Sequence, residues 1–215
     1  SAVQEVREQF GIPVIAVATL EDLIAYLADS PELAANLRGH LLLDGGNLRG
    51  SWFHRTVVLI CQHDSEGAFG LVLNRPSGAQ VSDAIEADLP EALRAAPLYI
   101  GGPVQPNALS YLHGDAFLPD ASVMPNVDLG HSLERLVELV SDFSVARRVA
   151  VFAGYAGWSA GQLDDELARD AWLVHPASPE LIFDPAPESL WFRILKAKGG
   201  IYRLLAESPE DPEAN

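Results

Sequence analysis

Cys61 and His63 stand two residues apart at the end of the apolar run Thr56–Cys61. On a regular strand they share a face, which brings an imidazole beside a thiol and describes a nucleophilic or redox-sensing cysteine. Asp64 and Glu66 follow closely and are candidates to orient the histidine. The structural alternative is a buried small hydrophobe next to a turn histidine, since free cysteine is among the most buried residue types. Arg55, Asn74 and Arg75 flank one end of the same region, and together they could hold a small anion bidentately. The alternative there is an ion pair between Arg55 and a helix carboxylate such as Glu166. Gln162 and Glu166 lie one helical turn apart on one face. With Tyr155 and Trp158 they describe a pocket; the alternative is capping for Gln162 and solvation for Glu166.

These groups need elements to hold them, and the chain is organised around Ala153–Trp172. Val149–Phe152 is a short apolar run that suits a buried strand. The segment after it reads as a strand end, a glycine-rich turn and a helix. Gly154, Gly157 and Gly161 punctuate that turn, as glycine does where the backbone needs positive φ or close approach. Ser159 has the position of an N-cap and Gln162 completes a capping-box spacing. Leu163, Leu167 and Ala171 recur at helical spacing behind Asp164 and Asp165, which favour a helix start. Three glycines with two aromatics between them exceed what a turn requires, so the stretch reads as the wall of a surface site. Gly101-Gly102-Pro103 lacks the phosphate-loop spacing and reads as a tight turn after Leu98–Ile100. Gly101 and Gly102 join the candidate lining of that site.

Elsewhere Thr56–Cys61 and Ala68–Leu73 predict an antiparallel hairpin. Val81–Leu93, Leu133–Val140 and Ser189–Lys196 carry helical patterns, while Tyr111–His113, Leu173–Pro176 and Leu181–Phe183 read as strands. The Pro- and Glu-rich tail from Ser208 predicts disorder. Residues 1–38 predict helix, strand and helix, with no strand partner inside the segment. That segment, through SAVQEVREQFGIPVIAVATLEDLIAYLADSPELAANL, resembles the C-terminal tail of bacterial orotate phosphoribosyltransferases. The acidic phosphoribosyl-diphosphate loop of those enzymes is absent, so no catalytic residue carries over and the segment reads as a βα appendage.

The remainder resembles the YqgE/AlgH family. GHLLLDGG, FHRTVVLICQHDSEGAFGLVLNRP, LYIGGPV and FAGYAGWSAGQLDDELARDAWLVHPASPELIF occur in that family's order across residues 39–203. The resemblance implies an α+β fold in which a bifurcated, mostly antiparallel sheet folds into a pseudo-barrel with flanking helices. It implies no established catalytic activity, and one family name is linked to regulation of alginate production. The chain departs from the family at Asp44-Gly45-Gly46, where an Ala-Met-Pro-like turn is usual. The domain organisation expected is therefore 1–38 appendage, 39–207 main domain and 208–215 tail.

Composition narrows the function. The net charge of −16 and 14 basic residues argue against a nucleic-acid surface. One cysteine allows neither an internal disulfide nor a cysteine zinc cluster. The six histidines show no metal-ligand spacing, so neither metal nor other cofactor is expected. No leader pattern opens the chain and no apolar run reaches membrane-spanning length, so the expected compartment is the cytoplasm. The leading expectation is a non-enzymatic regulatory protein that binds a small ligand or a protein partner through the glycine-rich stretch. The alternative is an enzyme or redox sensor that uses Cys61 with His63.

Overall fold

The computed structural model describes residues 36–141 and 148–208. Residues 1–35 of the expected appendage and 209–215 of the expected tail lie outside the described residues. Among the described residues nine strands form one mixed, mostly antiparallel sheet, in the order β4 (Pro76–Gln80), β5 (Pro97–Ile100), β8 (Arg148–Ser159), β3 (Gly67–Val72), β2 (Val57–Asp64), β1 (His40–Asp44) and β9 (Trp172–Pro176); β6 (Val104–Gly114) branches from β8, and β7 (Val127–Gly130) pairs with β6. The central strands are β1 (His40–Asp44), β2 (Val57–Asp64) and β3 (Gly67–Val72). Their apolar runs are continuous because both faces are covered. Leu41, Leu43, Val57, Leu59, Leu71 and Leu73 point to one layer. Leu42, Val58, Ile60 and Val72 point to the other.

The long strand β8 (Arg148–Ser159) joins the branches. Its first half pairs in parallel with β5 (Pro97–Ile100) and antiparallel with β6 (Val104–Gly114). Its last four residues pair with β3. The change of partners falls beside Gly154, whose φ of 71° few other residues adopt. Backbones cross closely here. A Cβ on Gly102 would lie 2.0 Å from the Tyr155 carbonyl carbon, and one on Gly154 would lie 2.5 Å from the Gly102 oxygen. The Gly-Gly-Pro turn and Gly154 thus serve a crossing of main chains, and the stretch expected to be a turn is strand as far as Ser159.

Helices cover the sheet. Leu190, Trp191, Ile194 and Leu195, from the helix Leu190–Lys198, close the first layer together with Ala206 from the helix Gly200–Glu207. The second layer is closed by Leu163 of α4 (Gln162–Ala168), together with Trp158 and Trp172. A third cluster joins Leu98, Tyr111 and Val151 to Val81, Leu93 and Leu136, from α1 (Val81–Ala84), α2 (Glu91–Arg94) and α3 (Leu133–Ser141). Pro90 starts α2, so the single helix expected over Val81–Leu93 is two short ones. Leu181–Phe183 is not a strand. Ser178 caps a helical turn by accepting from the Leu181 N–H, with Pro179 at its first position, and this cap overrides the apolar run. The expected cap at Ser159 is also corrected: Gly161, with left-handed φ, is the N-cap, and Gln162 Oε1 reaches back to the Ser159 N–H at 3.1 Å.

Candidate functional site

β8 ends at Ser159, α4 follows at once, and β9 (Trp172–Pro176) begins four residues after α4. Trp158, Glu166 and Trp172 are therefore delivered to one place by a strand, a helix and a second strand. β9 pairs with β1, and the loop after β1 brings Leu48 and Phe53 over the same spot. The result is a cleft of about 430 Å³ walled by Phe53, Trp158 and Trp172, with Gln162, Glu166 and Arg169 along its polar side. The Phe53 ring stacks toward Trp158 at 6.3 Å and meets Trp172 edge-on at 5.6 Å. Such contacts fix ring positions as well as burying area.

Glu166 organises the polar side. Its Oε2 accepts from the indole N–H groups of Trp158 at 2.8 Å and Trp172 at 2.7 Å. Its Oε1 accepts from Gln162 Nε2 at 3.0 Å. Gln162 and Glu166 thus share a face as expected, but the solvated role weighed for Glu166 is replaced by a clasp on two buried tryptophans. Gly157 also lines the cleft. Tyr155 does not. It lies three residues before Trp158 on a continuing strand, so alternation sends it to the opposite layer, where it stacks on Phe69 at 4.9 Å.

The cysteine pair is likewise not assembled. The β2–β3 register shifts between Ile60 and Gln62, which makes Cys61 an inserted residue. Cys61 packs in the layer of Leu59 and Leu71. Beyond it His63 pairs with Ala68, which packs in the Trp158 layer. Thiol and imidazole therefore face opposite sides of the sheet. Cys61 is 1% exposed, and burial pushes its thiol far above the ordinary value, against the thiolate that nucleophilic chemistry needs. His63 Nδ1 accepts from the Leu37 N–H at 3.1 Å.

The arginine group is close in space but committed to the fold. The Arg55 guanidinium donates to the Ser208 carbonyl and lies over the Trp191 ring at 5.2 Å, away from Glu166. Asn74 is buried; its Oδ1 accepts from the Val57 N–H and its Nδ2 donates to the Arg55 carbonyl. Arg75 donates to the His54 carbonyl and stacks on Trp52 at 4.5 Å, and burial lowers its pKa. Gly101 and Gly102 sit at the backbone crossing, outside the cleft. Among the described residues no three His, Cys, Asp or Glu side chains group to hold a metal ion.

Sequence reasoning meets Asp44 only as part of a turn that departs from the family pattern, with no role for its side chain. The residue is fully buried, and its carboxylate accepts from Gly46 N, Leu48 N, Arg55 N and the His54 ring, at 2.8, 3.3, 2.8 and 3.2 Å. It shapes the loop that carries Leu48 and Phe53 to the cleft. The signal was present: an Asp followed by Gly-Gly after a strand is an Asx-turn sequence.

Residues 41–203 match the DUF179 family, described as AlgH-like. A UPF0301 protein of Chlorobium luteolum is 39% identical over 180 residues, covering 82% of this chain and 94% of its own. One from Chlorobaculum parvum is 40% identical over 182 residues, covering 82% and 95%. The solution structure of the AlgH protein from Pseudomonas aeruginosa superposes with a TM-score of 0.65 at 29% identity, over 81% of this chain and 95% of that one. A crystal structure of a Corynebacterium diphtheriae protein gives the same TM-score at 24% identity, over 79% of this chain and 91% of that one, a likeness of fold alone.

Proposed function

The chain belongs to the AlgH-like family, and on that premise we propose that it is a non-enzymatic regulatory protein whose binding site is the Trp158–Trp172 cleft. The observation that supports the reading is the pair of indoles held by one carboxylate beside Phe53. Rigid aromatic walls with a few placed polar groups are what small-ligand sites and side-chain pockets for protein partners share. Glu166 Oε1 accepts one hydrogen bond from Gln162 and retains a lone pair, so the cleft suits an apolar group that carries a donor. The regulatory part of the reading rests on the family resemblance. The charge of −16 keeps nucleic acid out of the proposal. Among the described residues no helix is long and apolar enough to cross a membrane, which accords with the cytoplasmic placement we propose.

The burial of Cys61 and the placement of His63 toward the other layer weigh against the thiol reading. The test of the binding reading is a titration of isotope-labelled protein with phenethylamine, an aromatic ring bearing an ammonium donor. Saturable shifts confined to the indole N–H signals of Trp158 and Trp172 and to Gln162 are expected. Shifts elsewhere, or none, would sink the small-ligand form of the reading.

A further inference from the structure

A second cavity, of about 350 Å³, lies where the first residues of β8 meet the segment after the helical turn Pro179–Ile182. It is separate from the Trp158 cleft and shares no lining residue with it. Tyr99, Phe152 and Phe183 supply aromatic surface, with Phe152 fully buried and its ring 5.5 Å from that of Tyr99. Pro185 and Pro187 also line it, and their fixed φ keeps that segment in shape.

The polar groups of this cavity are unequal. Asp184 is engaged through one oxygen: Arg193 lies 2.6 Å from its Oδ1, and the Ala186 N–H donates to the same oxygen at 2.8 Å. Arg148 is held less firmly. Its guanidinium lies over the Phe183 ring at 5.1 Å and makes a long bond to the Pro179 carbonyl at 3.4 Å. Its carboxylate neighbour Glu180 is 4.0 Å away and 77% exposed, a pair that water screens heavily. Among the described residues the Tyr99 hydroxyl makes no hydrogen bond. Burial and the nearby Glu188 both raise its pKa, so it stays a donor. The cavity therefore offers a cation and a hydroxyl donor above an aromatic floor.

We propose that this cavity binds a small aromatic carboxylate, its ring against Tyr99 and Phe183 and its carboxylate on the Arg148 guanidinium and the Tyr99 hydroxyl. The size fits one ring with a short side chain, at the small end of ligand pockets. An acidic protein repels anions at long range, so selectivity for the acid must come from Arg148 itself. The planar guanidinium suits a carboxylate because it can donate two parallel bonds.

The experiment uses the full chain with 3-phenylpropanoate as probe and 3-phenylpropanamide, its neutral isostere, as control. Binding is read from saturable amide shifts at Tyr99, Ala150 and Phe183. The acid is expected to bind about tenfold more tightly than the amide, and its affinity alone is expected to fall with added salt. Arg148→Met is expected to erase the difference. Tyr99→Phe, which keeps the ring and removes the donor, is expected to weaken the acid several-fold, and it serves should Arg148→Met disturb the fold. Equal affinity of acid and amide, a salt-independent acid, no saturable shift, or full acid affinity in Tyr99→Phe would each overturn the proposal.

Discussion

Trp158 and Trp172 donate their indole N–H groups to the same oxygen of Glu166, at 2.8 and 2.7 Å. One residue sits near the end of the strand that joins both branches of the sheet, and the other begins the edge strand β9. A single helix carboxylate thus ties the edge of the sheet to its centre. Removing it by Glu166→Ala strands two largely buried donors. An unmade hydrogen bond of this kind costs about 1–3 kcal/mol where water cannot replace it. Because the cleft is open, about 1–3 kcal/mol in total is expected, with a shift in tryptophan emission. Urea unfolding measures it, and Glu166→Gln, which keeps an acceptor, should lose less. An unchanged midpoint would show that the clasp contributes nothing.

Asp44 makes a sharper case, since no part of it reaches water. Three backbone N–H groups and the His54 ring converge on it. One of those amides belongs to Arg55, whose φ of 55° is a conformation the loop must hold against strain. Asp44→Ala is expected to cost about 3 kcal/mol in urea unfolding. It should also loosen the Leu48 and Phe53 wall, which hydrogen exchange in residues 45–55 would report. Slow exchange there in the variant would show that the loop holds without its carboxylate.

The legible parts were those whose covering layers match a local pattern. The β2–β3 hairpin, α3, α4 and β9 follow from apolar periodicity and turn residues alone. The parts missed were decided by contacts distant in sequence. Gly154 and Gly157 look like turn residues, yet β8 runs through them because β3 and the Gly102 crossing supply partners there. That error placed Tyr155 beside Trp158, when three positions along a strand change the face. The shared face assigned to Cys61 and His63 failed for a related reason: one inserted residue in β2 breaks the alternation. Gln162, Glu166 and Trp158 were found together because helix spacing and the strand end both survive in the fold.

Two glycines separate steric need from conformational need. At Gly102 an added Cβ would meet the Tyr155 backbone at 2.0 Å, and backbone there cannot step aside without opening β8. At Gly161 nothing lies within 4 Å, but φ is +74°. Gly102→Ala is therefore expected to lose about 3 kcal/mol or more. Gly161→Ala should lose about 1–2 kcal/mol from left-handed strain alone. Thermal unfolding of the two variants gives the order, and a larger loss at Gly161 would contradict the crossing as the reason for Gly102.

Cys61 carries the pH prediction. Its thiol is buried, and desolvation raises its pKa above the ordinary 9.0. The folded protein then holds the proton more tightly than the unfolded chain does. Where the unfolded state binds fewer protons, stability falls as pH rises. The contribution is whole below pH 9.0, the ordinary value, and declines above it by at most about 1.4 kcal/mol per pH unit. Cys61→Ala should flatten that alkaline decline, although it costs stability at neutral pH through a small cavity. In the native protein alkylation by iodoacetamide at pH 8 should track unfolding, speeding in urea in proportion to the unfolded fraction. A His63→Ala variant should alkylate at a rate set by its stability alone, since the imidazole lies across the sheet from the sulfur. Fast alkylation of the folded protein that slows on His63→Ala would restore the thiol–imidazole pair and with it an enzyme or redox role.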